Sequence, residues 1–166
     1  YQIKNAALAL MVADHLMKKG LLKIKVEAIY QGLRQAFWKG RFEIVARNPL
    51  TIIDGAHNEH GILALSKNLK LLKRPVVVVF SALKDKQYQQ MINDLKCCVD
   101  EVIITHFENQ RSISAKNLAK GLEVKVIEDY HKAIEDARSF YKEGSVVITG
   151  SLYFISLVRA LFKEKE

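Results

Sequence analysis

The chain has 166 residues, enough for one full domain or for one domain with a piece of another, since domains usually run to about 100–200 residues. Apolar types make up 49% and charged types 27%, with only 2 Pro and 8 Gly, which excludes disordered, collagen-like and linker-rich chains. Lys and Arg number 26 against 18 Asp and Glu, a net charge of +8 that favours anionic partners: nucleotides, polyanionic metabolites or nucleic acid.

The chain begins at Tyr1 with neither a Met nor a basic lead into an apolar signal core, and it reads as a polypeptide that starts mid-protein. Ala6, Ala9, Leu10, Ala13, Leu16 and Met17 recur at helical spacing and predict a helix over residues 5–19, stopped at Gly20. A second helix, over residues 26–37, carries Ile29, Tyr30, Leu33 and Phe37 on one face. Residues 1–38 therefore read as the helical tail of a preceding domain, and 39–166 as a domain of their own.

From residue 41 the period changes. Phe42, Ile44 and Ala46 alternate with Glu43 and Val45, Asn48-Pro49 supplies a turn, and residues 50–53 form a largely apolar run. Strands and helices then alternate, with helices expected over 58–72, 87–96, 114–120, 130–141 and 152–162. The intervening strands are expected over 76–80, 99–105, 124–127 and 146–149. The run Val76-Val77-Val78-Val79-Phe80 lacks polar alternation, as strands buried on both faces of a parallel sheet do. The order predicts an α/β fold, its sheet mostly parallel with one antiparallel strand at the N-terminal side.

Cys97 and Cys98 are adjacent, a spacing that seldom closes a disulfide, so a reduced cytoplasm is expected. The longest apolar runs, residues 6–13 and 76–80, fall far short of the roughly 20 residues that span a bilayer.

Ligands of open α/β sheets sit beyond the carboxyl ends of the strands. Four such ends carry polar residues: Asp54-Gly55-Ala56-His57-Asn58, residues 81–86, Thr105-His106 and Thr149-Gly150-Ser151. The first holds an acid, a glycine, a histidine and an amide in five residues. It reads equally as a loop in which Asp54 bonds the backbone, Asn58 caps a helix and His57 is a surface imidazole. A hairpin closed at Arg47-Asn48, or by the wider loop from Ala46 to Pro49, pairs residues whose numbers sum to 95 and sets Arg41 opposite Asp54. Such a pair could offer a guanidinium fork to phosphate oxygens and a carboxylate to ribose hydroxyls, or be a simple cross-strand ion pair. Asn5 and Ser151 each open a helix, as caps or as ligand contacts. No GxxxxGK[ST] or GxGxxG loop occurs, and His15, His57, His60, His106 and His131 make no zinc set with the cysteines.

Trp38-Lys39-Gly40-Arg41-Phe42-Glu43, followed thirteen residues after Arg41 by Asp54-Gly55-Ala56-His57-Asn58, resembles the C-terminal domain of bacterial folylpolyglutamate synthase/dihydrofolate synthases, of the Mur ligase superfamily. The likeness extends to Asn5-Ala6-Ala7-Leu8-Ala9, to Asp85-Lys86 and to Thr149-Gly150-Ser151-Leu152-Tyr153. Lys39, Glu59 and Ser81 depart from residues common in that family, and they bear on loop shape.

The resemblance implies a three-layer Rossmann-like domain of an ATP-dependent ligase. Its substrates would be ATP, L-glutamate and dihydropteroate or a reduced folate, joined through an acyl phosphate. The phosphate loop and the Mg2+ ligands would lie in the N-terminal region outside this chain, and the fragment alone would be inactive. Asn5 would contact adenine, Arg41 the phosphates and Asp54 the ribose, while His57 and Ser151 would lie near the glutamate or the transferred phosphoryl group. His57 and Asp54 are the catalytic candidates, and no metal ligand is expected here. A monomer, without nucleic-acid or membrane partners, is implied. The alternatives are a cell-wall Mur ligase or a non-catalytic nucleic-acid module using Lys67, Lys70, Lys73 and Arg74.

Overall fold

A computed structural model describes residues 2–163. The chain divides into two compact units, Tyr1–Trp38 and Lys39–Glu166. The first holds α1 (Gln2–Lys18) and α2 (Val26–Gln35). Ile3, Leu8, Met11, Val12 and Tyr30 stand exposed on these two helices, and α2 buries no residue at all. α1 starts three residues before Asn5, so Asn5 lies inside the first turn and not at the expected helix start.

The second unit runs β1 (Glu43–Arg47), β2 (Leu50–Ile53), α3 (Glu59–Leu69), β3 (Val76–Phe80), α4 (Tyr88–Lys96), β4 (Glu101–His106), α5 (Ala115–Leu118), β5 (Lys125–Asp129), α6 (Tyr130–Phe140), β6 (Ser145–Thr149) and α7 (Leu152–Lys163). The six strands form one sheet in the order β1-β2-β6-β3-β4-β5, parallel throughout except for β1, which pairs antiparallel with β2.

Alternate residues of the central strands feed two separate cores. Ile52, Val76, Val78, Phe80 and Val147 pack with Ile62 and Leu65 of α3, Met91 and Leu95 of α4 and Leu118 of α5. Ile53, Val77, Val79, Val146 and Ile148 pack on the other face with Ala133 and Ile134 of α6 and Phe154 and Val158 of α7. The result is the expected three-layer α/β domain. All five residues of β3, and all five of β6, are buried, which is why their sequences show no polar alternation. Each fully buried Phe, Leu or Ile contributes about 1.5–3 kcal/mol.

β1 departs from expectation in two ways. Its register is Glu43↔Ile53 and Ile44↔Ile52, then Ala46↔Thr51 and Arg47↔Leu50 across a bulge, so Phe42 and not Arg41 falls opposite Asp54. Asn48-Pro49 does form the turn, but the pair that closes it is Arg47↔Leu50, one residue later than a hairpin closed at Arg47-Asn48 requires. The faces are also inverted: Glu43 is buried and Ile44 is exposed. The Glu43 carboxylate takes the Nε–H of Arg159 at 2.8 and 3.1 Å, which explains how an acid fits inside.

At the opposite end of the sheet, β4 starts two residues later than the apolar run from Val99 suggests. Asp100 takes the Val76 N–H at 2.6 Å and Arg74 at 2.8 Å, tying the start of β3 to the loop before β4. The Val76 amide, and then Arg74, hold the Asp100 carboxyl below the ordinary 3.8. A depressed folded value contributes stability that is present above pH 3.8 and is lost as pH falls through the lower folded value. Thermal unfolding followed from about pH 5 down to about pH 2 should therefore show a loss that shrinks in Asp100→Asn. An identical acid profile in the two proteins would contradict this linkage.

Candidate functional site

Three loops at the carboxyl ends of β2, β3 and β6 are stitched together by backbone bonds. The Asp54 N–H reaches Ile148 O at 3.0 Å, Ser81 N–H reaches Thr149 O at 3.2 Å, and Gly150 N–H reaches Ala56 O at 3.1 Å. Thr149 Oγ1 adds a bond to the same Ala56 carbonyl at 3.3 Å. Two neighbouring parallel pairs, β2·β6 and β6·β3, thus bring residues about 93 positions apart into one rim.

Arg41 joins this rim from the segment before β1. Its Nη1 donates to Gly55 O at 3.4 Å, and the imidazole Nδ1 of His57 meets the same oxygen at 2.8 Å. A carbonyl only accepts, so Nδ1 carries the proton of that bond and a neutral His57 ring presents a lone pair at Nε2. The Gly55 carbonyl is neutral and does not discharge the half-buried guanidinium.

Asp54 lies behind the rim. It is 0% exposed, Oδ2 accepts the Phe42 N–H at 2.8 Å and Oδ1 the Ala56 N–H at 2.9 Å. The carboxylate expected to face a ribose or to take part in chemistry is turned inward, because two backbone amides of the two approaching loops need an acceptor there. Asn58 caps α3, its side chain taking the Gly61 N–H at 2.8 Å.

Ser151 precedes α7 and is 2% exposed, yet its hydroxyl has no hydrogen-bond partner among the described residues. It does not cap the helix, which was its plain structural alternative. Ser151 and His57 share the wall of a cavity of about 160 Å3 with Lys86, Arg111, Gly150 and Tyr153. An orphaned hydroxyl, a helix N-terminus and two cations facing one cavity suit an anionic ligand. Asn5 belongs to the other unit, where it is exposed on α1.

Arg111 is a residue that the sequence did not single out. It reaches the rim because Lys84 N–H bonds Arg111 O at 2.9 Å and Leu83 bridges Ser112, joining the loops after β3 and β4. Arg111 Nη2 meets Asp85 Oδ2 at 2.5 Å and Lys86 Nζ lies 3.8 Å from the same oxygen. The Arg111 bond holds the Asp85 carboxyl below its ordinary value. Its position after a strand's carboxyl end was the available signal.

Of the basic residues that could have formed a nucleic-acid patch, Lys73 pairs with Glu143 and Arg74 with Asp100, which leaves the stripe half neutralised. Among the described residues no helix is long and apolar enough to cross a membrane. Nor does any group of three or more His, Cys, Asp or Glu among them suit a metal ion.

Comparison with known proteins matches residues 40–152 to a family described as Mur ligase, glutamate ligase domain. The chain is 39% identical over 170 residues to the dihydrofolate synthase/folylpolyglutamate synthase of Bacillus subtilis, an alignment covering 98% of this chain and 39% of that protein. E. coli FolC in complex with ADP superposes with a TM-score of 0.85 at 28% identity, over 97% of this chain and 39% of that one. A bifunctional folylpolyglutamate synthase/dihydrofolate synthase with Mn, AMPPNP and L-glutamate bound gives 0.78 at 32% identity, over 86% and 36%. The chain thus spans well under half the length of the relatives it matches. With more than half its residues matched by the family model and its three-layer fold shared with solved members, the chain belongs to the Mur ligase family and carries that family's glutamate ligase domain.

Proposed function

We propose that the chain is the C-terminal part of an ATP-dependent ligase that adds L-glutamate to dihydropteroate or a reduced folate. The γ-phosphoryl group of ATP passes to the pteroate or folate carboxylate, releasing ADP. The glutamate amine then attacks the acyl phosphate, losing a proton as phosphate leaves and an amide forms. A carboxylate oxygen is a poor leaving group, which is why the phosphoryl step is needed.

The observation that carries this reading is the single Gly55 carbonyl that gathers Arg41 and His57 beside the cavity bearing Ser151. Arg41 offers a planar fork to phosphate oxygens. In this reading His57 Nε2 would accept a proton near the incoming amine, and Ser151, Lys86 and Arg111 would bind the glutamate carboxylates. Asp54 acts from inside, by shaping the loop. Asn5 would meet the adenine ring. Residues 1–38 would be the end of a preceding ATPase domain, whose surface would cover the exposed Ile3, Leu8, Met11 and Val12. Mg2+ would enter with ATP, its protein ligands expected in the N-terminal region outside this chain, and no step through it is assigned here. The enzyme would be a cytoplasmic monomer.

The test is glutamate-dependent ADP release by the full-length protein supplied with ATP and dihydropteroate. Ser151→Ala should raise KM for L-glutamate about tenfold, the worth of one hydrogen bond to a charged group. Its unfolding midpoint should not fall, because the hydroxyl has no internal partner to lose. An unchanged KM would remove Ser151 from the glutamate site, and turnover with a cell-wall nucleotide precursor instead would overturn the folate assignment.

A further inference from the structure

Arg41 stands between two residues in the left-handed region, Gly40 at φ +71° and Phe42 at φ +49°. Phe42 is the one non-glycine residue with positive φ among those described. A side chain in that conformation costs about 1–2 kcal/mol, so something must hold it there. Two buried acids do so. Glu43, 7% exposed, accepts the Gly40 N–H at 2.6 Å while it grips Arg159 of α7. Asp54 accepts the Phe42 N–H at 2.8 Å and ties it to Ala56 in the loop that carries His57. A further bond, Gly55 N–H to Gly40 O at 2.8 Å, locks the same turn from its other side.

The amides on either side of Arg41, those of Gly40 and Phe42, are therefore each held by a buried carboxylate. A buried ion pair is a poor device for stability, since apolar residues of similar volume often do as well or better. It does fix geometry. We infer that Glu43 and Asp54 are positioning residues, whose carboxylates clamp the strained turn so that the Arg41 guanidinium is preset for phosphate oxygens. The inference rests on the phosphate role proposed for Arg41, and it assigns both conspicuous acids of the two motifs to placement of that one cation.

The test is a pair of double-mutant cycles in the full-length protein, with kcat/KM for ATP as readout. Glu43→Gln and Asp54→Asn each keep the volume but surrender part of the clamp. Each should lower kcat/KM about tenfold when Arg41 is present and less than about twofold in an Arg41→Ala background. A role in stability alone would lower activity by the same factor in both backgrounds and would overturn the inference, as would full activity of both variants. Glu43→Ala risks unfolding by stranding Arg159, so the isosteric pair carries the decision and unfolding midpoints verify that both are folded. If Arg41→Ala alone leaves kcat/KM unchanged, it is the phosphate role that fails. If that variant is impaired but the cycles are additive, the clamp fails and the phosphate role stands.

Discussion

Arg41→Ala in the full-length protein is expected to lower kcat/KM for ATP on the order of 10²-fold, the usual loss when one preorganised donor to a developing charge is removed. The side chain is half-buried, and the bond that its Nη1 makes in the site goes to a neutral carbonyl at 3.4 Å. A stronger partner, such as a phosphate oxygen, can replace that long contact at little cost. Arg41→Lys should recover only part of the loss, because an ammonium lacks the planar fork that meets two oxygens at once. Steady-state kinetics over a range of ATP concentrations would settle it. A loss confined to KM would indicate ground-state binding, whereas equal falls in kcat and kcat/KM would place the contact in the transition state. Unchanged kinetics would reduce Arg41 to a member of the hairpin.

Gly150→Ala is expected to destabilise the domain by roughly 2–4 kcal/mol, combining backbone strain with overpacking. Gly150 has φ +113°, a region closed to side chains, and an added Cβ would meet the Ser81 carbonyl oxygen and lie 2.7 Å from a carbon of the Phe80 ring. Neither neighbour can retreat. Phe80 is fully buried in the core, and the Ser81 N–H is held by Thr149 O. The same peptide supplies the Gly150 N–H to Ala56 O, so relaxation would also loosen the loop bearing His57 and Ser151. Urea unfolding of the full-length protein should show an earlier midpoint for the transition of this domain. A loss below about 0.5 kcal/mol would mean that the backbone can turn aside more easily than this packing allows.

Much of the architecture could be read directly from residue pattern, and the failures have physical causes. β3 was recognisable because a strand buried on both faces leaves an unbroken apolar run, Val76 to Phe80. The hairpin register slipped because the turn closes with Arg47 opposite Leu50, so that paired numbers sum to 97 and not 95, and the bulge between Ile44 and Ala46 takes back only one of those two positions. Nothing local in the sequence marks Glu43 as buried, because its partner, Arg159, lies 116 residues away. Asp54 was identified as important by its company, but residue type does not say which way a carboxylate turns. Two backbone amides, Phe42 and Ala56, decide that here. Arg111 was missed because a pairing between two loops, through Lys84 and Leu83, has no local signature. Ser151 shows the reverse: its helix-start position suggested a cap, and the buried hydroxyl without a partner points instead toward a ligand.

The most direct test of the site is a crystal structure of the full-length protein bound to a non-hydrolysable ATP analogue and L-glutamate. The expected result is Arg41 with both terminal nitrogens within hydrogen-bond distance of phosphate oxygens, and the glutamate beside His57 and Ser151. A nucleotide bound with Arg41 still tied only to Gly55, and the glutamate seated away from the cavity lined by Ser151, would contradict it.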